Sequence, residues 1–252
     1  MIELNGKIAL VTGGSRGIGA ATVRQWVGAG GRAIIHYGSS RDAAEALADE
    51  VGRSNVVLVQ ADVGSVEDTE RLWSDALSHW EHIDVLVNNA GIYEVNDLSW
   101  DLDRWLEGWR RTQRINLESA AQLCRAALPH FIGNGAGVVI NVASRAAHRG
   151  DDINHLQYGA SKAGMLALNR AIARACGSKG VLAYGVAPGF VLTDMVDYVV
   201  KEKGLEAMSQ MYPTGRVTTP EEVASVIVFC GSGVSPQTTG NTIDLSGGAD
   251  VR

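Results

Sequence analysis

A tyrosine and a lysine four positions apart are the residues whose types and spacing best suit acid–base chemistry. Tyr158 and Lys162 stand at the start of a predicted helix, where residues four apart share one face. A free phenol has a pKa of about 10, which is too high for a group that exchanges protons near neutral pH. A neighbouring ammonium group stabilises the phenolate and lowers that pKa. The pair predicts proton transfer, although the same spacing also occurs where the lysine is solvated and the tyrosine half-buried.

A glycine-rich turn near the start of the chain indicates a dinucleotide site. The segment Thr12–Gly19 reads TGGSRGIG and lies between a short apolar run and a helical pattern. Glycines allow the tight turn and the close backbone approach that a pyrophosphate requires, and the helix N-terminus offers free N–H groups. The alternative is a glycine turn that only packs the helix on the sheet.

Two further polar residues stand where an α/β fold binds its ligands. Ser144 follows the apolar run Gly137–Val142, and ligands of open α/β sheets bind at the carboxyl ends of strands. Its hydroxyl can donate to a substrate oxygen while Tyr158 transfers the proton. Asn116 interrupts a long helical pattern and predicts a local kink, because Asn captures backbone groups. Taken alone, these two also fit an ordinary loop serine and a solvent-facing asparagine.

The elements that would position these residues alternate between strand and helix along the chain. The predicted strands are Lys7–Thr12, Arg32–Tyr37, Val56–Gln60, Val85–Asn88, Gly137–Val142, Val181–Val186 and Thr242–Leu245. The predicted helices are Gly17–Ala29, Ala43–Val51, Val66–Trp80, Leu102–Ile132 with room for one break, Ser161–Gly177 and Pro220–Phe229. This alternation predicts an α/β fold, a single Rossmann-like, doubly wound parallel sheet of about seven strands with helices on both faces.

The composition limits the kind of protein. The chain has 252 residues, a formal net charge of −6 and 46% hydrophobic residues, which suits one domain over residues 1–252. The acidic balance argues against nucleic-acid binding. No segment predicts a signal peptide or a membrane span, so we expect a soluble, cytoplasmic protein. Cys124, Cys176 and Cys230 form no CxxC pair and are interpreted as buried apolar residues, and no metal site is predicted.

In combination, these motifs resemble those of a known family over the whole chain. The matching residues are Thr12–Gly19, Asp62–Val63, Asn88–Gly91, Asn116, Ser144, Tyr158, Lys162, Pro188–Gly189 and Thr193. The chain resembles the short-chain dehydrogenase/reductase family, most of all its β-ketoacyl carrier-protein reductase-like members. The resemblance implies an oxidoreductase that transfers a hydride between nicotinamide and a carbonyl/secondary alcohol substrate.

The resemblance also assigns roles to residues. The expected catalytic residues are Asn116, Ser144, Tyr158 and Lys162. In this assignment Ser144 orients the substrate, and Asn116 holds a water molecule that links the lysine to solvent. Asp62 and Val63 flank the adenine. The residues expected to bind the cofactor are Gly13, Ser15, Arg16, Gly17, Ile18, Gly19, Tyr37, Ser39, Ser40, Arg41, Asp62, Val63, Asn89, Ala90, Gly91, Tyr158, Lys162, Pro188, Gly189, Val191 and Thr193.

The end of the second predicted strand bears on the choice of cofactor. Enzymes that use NAD place an Asp or Glu there for the ribose diol, and that carboxylate would repel a 2′-phosphate. Here Tyr37 takes the position, and no carboxylate appears before Asp42. The nearby side chains suited to a phosphate are Arg16, Ser39, Ser40 and Arg41. We expect NADP(H) to be preferred over NAD(H), the alternative being that both arginines are solvated.

Several segments of the sequence bear on the substrate. Asp194–Val217 is expected to form a flap whose apolar side chains either cover a hydrophobic substrate or pack on the body. Pro213–Arg216 and Thr219–Val223 resemble segments of β-ketoacyl carrier-protein reductases, so a 3-oxoacyl thioester is one expected substrate. Charged and imidazole side chains of the loop Arg145–Gln157 should lie beside the site. They are Arg145, His148, Arg149, Asp151, Asp152 and His155.

Other functions and an assembly also have to be considered. The alternatives are a catalytically weak NADP-binding sensor or scaffold, a sugar, alcohol or steroid dehydrogenase of the same fold, and a different chemistry such as epimerisation. The presence of all four expected catalytic residues favours an active enzyme on a small-molecule substrate. The resemblance implies a homotetramer, or at least a homodimer. Trp100, Trp105 and Trp109 are interpreted as core or subunit-interface residues.

Overall fold

Seven parallel strands form one sheet in the computed structural model, which describes residues 2–193 and 204–250. The strands are β1 (Ile8–Val11), β2 (Arg32–Tyr37), β3 (Val56–Gln60), β4 (Val85–Asn88), β5 (Gly137–Val142), β6 (Val181–Pro188) and β7 (Thr242–Leu245). Their order across the sheet is β3-β2-β1-β4-β5-β6-β7, and each neighbouring pair is parallel. The predicted parallel α/β sheet is confirmed.

Helices connect the strands. Within the described residues, the α-helices are α1 (Gly17–Gly28), α2 (Arg41–Val51), α3 (Val66–Trp80), α4 (Leu102–Gln113), α5 (Ser119–Gly133), α6 (Ala146–Arg149), α7 (Leu156–Cys176), α8 (Leu205–Ser209) and α9 (Pro220–Ser232). A π-helical segment, Arg114–Glu118, joins α4 to α5. Short 3₁₀ segments cover Arg53–Asn55, Ile153–His155, Gly177–Lys179 and Pro236–Thr238.

Apolar layers on both faces explain why the central strands are continuous apolar runs. β1, β4 and β5 are buried along their whole length, as expected for strands covered by helices on both sides. Successive strand residues point to opposite faces. Val11 therefore packs in the layer that contains Trp26 of α1. Leu10 packs in the opposite layer with Phe131 of α5.

The order of the strands places a crevice beside β1. This strand pairs with β2 on one side and with β4 on the other, so the chain winds away from it in two directions. Ligands of such sheets bind at this switch point, beyond the carboxyl ends of the strands. Every motif of the sequence analysis that follows β1, β4, β5 or β6 is thereby brought to one edge of the sheet.

The helix that carries Tyr158 and Lys162 begins earlier than predicted. α7 starts at Leu156 instead of Ser161, so both residues lie within its first turns. The predicted start was wrong, five residues too late. In the fold Gly159 is buried close to the carbonyl oxygen of Ala146, so packing of α7 against α6 outweighs the low helix propensity of glycine. The region read as one irregular loop, Arg145–Gln157, also contains α6.

Two other sequence predictions concern the segment around Asn116 and the flap. The kink expected at Asn116 is confirmed, because the long helical pattern is interrupted there by the π-helical segment. Residues 194–203 of the predicted flap, with Met195, Val196, Tyr198 and Val199, lie outside the described residues. In the described part of the flap, Met208 and Tyr212 are buried and pack with Phe190.

The cysteines behave as expected. Cys124, Cys176 and Cys230 are free and buried. Burial raises the pKa of the Cys124 and Cys230 thiols to about 12, so both stay protonated and unreactive near neutral pH.

Across residues 2–193 and 204–250, no helix has the length and apolar character needed to cross a bilayer. The same ranges contain no group of His, Cys, Asp and Glu side chains that could hold a metal ion.

Candidate active site

A cavity of about 660 Å³ opens at the carboxyl ends of β1, β4, β5 and β6. The predicted site residues that line it are Gly13, Ser15, Arg16, Gly17, Ile18, Ser39, Ser40, Asn89, Ala90, Gly91, Ser144, Tyr158, Lys162, Pro188, Gly189, Val191 and Thr193. The predicted residues that are not part of its lining are Gly19, Tyr37, Arg41, Asp62, Val63 and Asn116. The structure therefore brings most of the predicted site to one place.

The glycine turn after β1 is fastened to the end of β4. The Thr12 hydroxyl accepts hydrogen bonds from the N–H groups of Asn89 (2.9 Å) and Ala90 (3.0 Å). The Asn89 amide donates to the carbonyl oxygens of Thr12 and Gly13. Gly13 and Gly17 have φ angles of +60° and +53°, which L side chains rarely adopt. The turn is thus fixed in a shape that only glycines accept without strain.

Gly19, in the first turn of α1, packs against the backbone of the glycine turn. A Cβ at Gly19 would collide with the carbonyl oxygen of Gly13, so the third glycine lets α1 pack directly on the turn. Its place outside the cavity lining follows from this packing role.

His36 of β2 holds the other side of the glycine turn. Its Nδ1 accepts a hydrogen bond from the Gly13 N–H at 3.0 Å, and its Nε2 lies 3.1 Å from the Ala61 carbonyl oxygen. The first contact requires an unprotonated Nδ1, and the second requires a proton on Nε2. Burial lowers the pKa of the His36 imidazole, which favours this neutral form. Sequence reasoning missed this residue, because a histidine inside a strand carries no motif.

Tyr158 and Lys162 both face the cavity from α7. The Lys162 Nζ donates to the Val142 carbonyl oxygen at 2.9 Å and lies 3.6 Å from the Met165 Sδ. It is 5.8 Å from the centre of the Tyr158 ring. The ammonium group is therefore anchored to the end of β5, one helical turn from the phenol.

The pKa of Tyr158 moves in the direction opposite to that expected from the sequence. Burial raises it to about 12, a hydrogen bond with Ser144 opposes the rise, and the Asp151 carboxylate adds to it. Burial also lowers the pKa of the Lys162 amine to about 8. Desolvation is the largest cause of both shifts. The phenol is accordingly held as a proton donor at neutral pH.

Ser144 lies at the end of β5, where its side chain reaches the phenol. Its hydroxyl oxygen accepts a hydrogen bond from the Ala146 N–H at 3.1 Å and takes part in the bond with Tyr158. Ser161, which lies in α7, instead donates to the Tyr158 carbonyl oxygen. The hydroxyl groups of Ser144 and Tyr158 therefore meet at one point of the cavity wall.

Asn116 lies behind the cavity. Its Oδ1 accepts from the Ile92 N–H at 2.8 Å, and its Nδ2 donates to the Ile92 carbonyl oxygen (3.0 Å) and to the Ser161 Oγ (3.2 Å). The side chain thus clamps the segment that follows β4. A Cβ at Gly91 would lie 3.4 Å from the Lys162 Nζ, so this clamped segment packs directly on the lysine. The side chain of Asn116 positions the wall on which Lys162 rests.

The end of the cavity nearest β2 is lined by Gly38, Ser39 and Ser40, with Arg16 across from them in the glycine turn. Tyr37 is buried in the core, and Arg41 is exposed and pairs with Glu45 at 3.6 Å. Neither faces the cavity because Tyr37 points inward and Arg41 begins α2 on the surface.

The two residues expected to flank the adenine lie near that end but off the lining. Val63 is buried. Asp62 is exposed, and its Oδ1 accepts from the Gly64 N–H at 2.8 Å, which leaves Oδ2 as its other acceptor. At the opposite end, a Cβ at Gly17 would lie 3.0 Å from the Thr193 Cγ2, so Thr193 closes over the glycine turn.

Sequence reasoning missed the wall opposite Ser144. Tyr93, Glu94 and Phe190 line the cavity, and none of them belongs to a motif. The Tyr93 ring stands edge-on to Tyr158, with ring centres 4.7 Å apart, and stacks on His155 at 4.1 Å. The only available signal was proximity, since Tyr93 and Glu94 follow the motif Asn88–Gly91 and Phe190 follows Pro188–Gly189.

Comparisons with known proteins find similarity over almost the whole chain. A family model described as enoyl-(acyl carrier protein) reductase matches residues 13–250. The 3-oxoacyl-[acyl-carrier-protein] reductase of Synechocystis is 34% identical over 251 residues, which cover 98% of each chain. The corresponding Vibrio harveyi enzyme, FabG, is 35% identical over 249 residues, again with 98% of each chain covered.

Solved structures give the same picture. A short-chain dehydrogenase/reductase from Brucella melitensis, described as a glucose/ribitol dehydrogenase, superposes with a TM-score of 0.90 at 30% identity and covers 100% of this chain and 99% of its own. A proposed NAD(P)-dependent gluconate 5-dehydrogenase from Beutenbergia cavernae, with bound NADP, also gives 0.90, at 28% identity and 98% coverage of both chains.

Proposed function

Because this chain belongs to the short-chain dehydrogenase/reductase family, a family of nicotinamide-dependent oxidoreductases, we propose that it reduces a carbonyl group to a secondary alcohol with NADPH. The observation that carries the proposal is the meeting of the Ser144 and Tyr158 hydroxyls in the cavity, one helical turn from Lys162. Two hydroxyl donors aimed at one point suit an oxygen atom that gains negative charge during the reaction.

The residues around the glycine turn fit the cofactor. Gly13 and Gly17 leave space where side chains would stand, and the N-terminus of α1 offers N–H groups to a pyrophosphate. Pro188, Gly189, Val191 and Thr193 would hold the nicotinamide end. When bound there, the nicotinamide supplies or accepts the hydride.

The proton is moved by the chain's own groups. Tyr158 gives its proton to the carbonyl oxygen as that oxygen becomes an alcohol, and Ser144 orients the oxygen by donating a hydrogen bond. The ammonium of Lys162 stabilises the phenolate that remains. In the reverse direction the phenolate takes the alcohol proton, so one residue serves both directions.

Preference for NADPH is supported by the end of the cavity nearest β2. Arg16, Ser39 and Ser40 present a guanidinium and two hydroxyl groups, which suit a 2′-phosphate. Among the described residues, no carboxylate lines this end. The NADP bound to the Beutenbergia protein agrees with the proposal.

For the substrate we propose classes of compound, and for the assembly and location we follow the family resemblance. The names of the Synechocystis and Vibrio relatives make a 3-oxoacyl thioester a candidate substrate, and those of the solved structures add sugars and sugar acids. We further propose a homotetramer, or at least a homodimer, in the cytoplasm.

Substitution of Tyr158 by Phe tests the proposed reaction. The change removes only the hydroxyl, so carbonyl reduction should fall by at least about two orders of magnitude. Binding of NADPH, followed by its fluorescence, should persist. Turnover within a factor of a few of the parent enzyme would overturn the role assigned to Tyr158. Tyr184→Phe is the matched control, because Tyr184 is buried away from the cavity and its hydroxyl donates to Ser235.

A further inference from the structure

The part of the cavity beyond Ser144 and Tyr158, here called the substrate end, carries four charged side chains. They are Glu94, Arg145, Arg149 and Asp151. An aliphatic chain placed against such a wall would strip water from charged groups and offer them no partner, which is costly. The lining of this end therefore favours a polar substrate.

Two of the four charges are already engaged. The Glu94 carboxylate accepts a hydrogen bond from the Arg111 Nε at 3.2 Å. The Arg145 guanidinium is buried, lies 3.7 Å from the Asp250 carboxylate and is 5.2 Å from each of two aromatic ring centres, those of Phe190 and Tyr212. Glu94 is held by Arg111, and the Arg145 guanidinium is enclosed by its neighbours, although its Nη2 has no hydrogen-bond partner among the described residues.

The other two charges remain available to a ligand. Among the described residues, the Arg149 guanidinium has no ion pair. The Asp151 Oδ1 accepts from the Asp152 N–H (2.9 Å) and the Tyr93 hydroxyl (3.4 Å), while its Oδ2 has no hydrogen bond within the same part of the chain. Arg149 and Asp151 flank Gly150 and face one cavity, yet no ion pair joins them. Opposite charges kept apart in this way can each meet a different group of one small molecule.

Asp151 is linked to Tyr158 through the ring of Tyr93. Its carboxylate raises the pKa of the Tyr158 phenol, and Tyr93 contacts both residues, edge-on to Tyr158 and hydrogen-bonded to Asp151. Tyr93 is itself fixed by its stack on His155. A hydroxyl group that donates to Asp151 can therefore belong to the same small molecule as the carbonyl that faces Tyr158.

Building on the proposed function, we propose that the substrate end takes a polyhydroxylated ketone that carries a carboxylate, a keto acid of the sugar type. Arg149 binds the carboxylate, since a guanidinium can donate two parallel hydrogen bonds to it. Asp151 accepts hydrogen bonds from a hydroxyl of the same molecule, because an ionised carboxylate can only accept. A 3-oxoacyl chain has neither group at these places.

A matched pair of ketones tests this assignment. 5-Keto-D-gluconate and L-sorbose differ only in having a carboxylate or a hydroxymethyl group at one end. With the full-length enzyme and NADPH, we expect kcat/KM to be at least about tenfold higher for the keto acid. The acetoacetyl thioester of N-acetylcysteamine, as a third substrate, should be the poorest of the three.

Variants separate the two charges. Arg149→Met should lower the ratio of kcat/KM for 5-keto-D-gluconate over that for L-sorbose by about tenfold. Asp151→Ala should lower kcat/KM for both 5-keto-D-gluconate and L-sorbose relative to kcat/KM for the acetoacetyl thioester. The ratio of kcat/KM between the two sugars should stay the same. Arg170→Met is the matched control, because Arg170 is an exposed arginine on α7 away from the cavity, and the same ratio should be retained.

The outcomes distinguish this inference from the proposed function. An enzyme that reduces the thioester better than the keto acid, or an Arg149→Met variant that keeps the parent ratio, overturns the substrate assignment and leaves the proposed reaction standing. A chain that binds no NADPH and reduces none of the three ketones overturns both. NADPH binding by each variant, measured by fluorescence, shows that the cofactor end is intact.

Discussion

At the scale of single residues, Tyr158 and Lys162 are tuned by their burial. The phenol, with a pKa raised to about 12, stays protonated over the whole physiological range. The amine, with a pKa lowered to about 8, changes charge within reach of an ordinary buffer. The pH dependence of carbonyl reduction should therefore report on the lysine and not on the tyrosine.

We expect kcat/KM for reduction to be level below about pH 8 and to fall above it, because the ammonium that stabilises the phenolate is then lost. In Lys162→Met the inflection near pH 8 should disappear, and the rate should be at least about two orders of magnitude lower. The measurement is a pH–rate profile from pH 6 to 10 for both proteins. An inflection that survives in the variant would assign it to another group.

Cofactor choice is also decided by single residues. Arg16→Gln should raise KM for NADPH by about tenfold and leave KM for NADH nearly unchanged, because only NADPH carries the 2′-phosphate. Arg41→Gln is the matched comparison, since the sequence suggested both arginines but the structure places Arg41 on the surface beside Glu45. An equal effect of the two substitutions would restore Arg41 to the site. Faster turnover with NADH than with NADPH in the parent enzyme would contradict the proposed preference.

At the scale of elements, His36 of β2 links its own strand to the turn after β1 and to the end of β3. Its ring lies between the turn after β1 and the end of β3, and it accepts from Gly13 only when neutral. Because its pKa in the folded protein is below the ordinary 6.5, the unfolded chain takes up the proton first. This contribution to stability is complete above pH 6.5 and declines as the pH falls below that value.

Replacing His36 by Asn tests this coupling, because the amide oxygen can still accept from Gly13 but does not titrate. The loss of unfolding free energy between pH 7 and pH 5, measured by urea denaturation, should be smaller in His36→Asn than in the parent. His79→Asn, at an exposed histidine of α3, should keep the parent's slope. Identical slopes in all three proteins would show that His36 does not couple folding to pH.

The order and type of the elements could be predicted because buried parallel strands and amphipathic helices leave periodic signals. Predicted and observed limits agree for β2, β3, β4, β5, β7 and α3. The start of α7 could not be predicted, since contact with α6 decides that Gly159 is helical. The kink at Asn116 was predictable from the residue type, whereas its grip on Ile92 depends on a segment 24 positions away in sequence.

The candidate site shows the same division. Motif residues such as Gly13 and Ser144 were predictable, because their chemistry requires particular types at strand ends. The inward direction of Tyr37 and the rise in the pKa of Tyr158 were not, because both follow from burial that a sequence does not display. Tyr93 was missed for a related reason, since only the folded chain shows that it stands against Tyr158.

At the scale of the whole molecule, four large apolar side chains are exposed near the starts of α4 and α7. Leu98 and Leu102 are 51% and 69% exposed at the entry to α4, and Ile153 and Leu156 are 62% and 44% exposed at the entry to α7. A hydrogen bond from the Asn96 N–H to the Asn154 carbonyl oxygen joins the two segments, which brings these side chains to one region. Such a patch on a globular protein commonly marks an interface.

If the proposed homotetramer or homodimer uses this surface, Leu102→Glu should shift the chain towards a smaller assembly and leave it folded. Light scattering coupled to size-exclusion chromatography measures the mass, and circular dichroism checks the fold. Val66→Glu, at a residue of α3 that is 53% exposed, is the matched control and should keep the parent's mass. A monomeric parent would refute the assembly itself, and an unchanged mass for Leu102→Glu would place the interface elsewhere.

The bonds from Thr12 and Asn89 to the glycine turn have a consequence for how the molecule can diversify. Folding alone orders that backbone, so capture of a nucleotide does not have to freeze it again and loses little entropy. The substrate end of the cavity depends on a different stretch of chain, between Arg145 and Gln157. Under the proposed function, substitutions in that stretch change which ketone binds and leave the contacts to the dinucleotide unchanged.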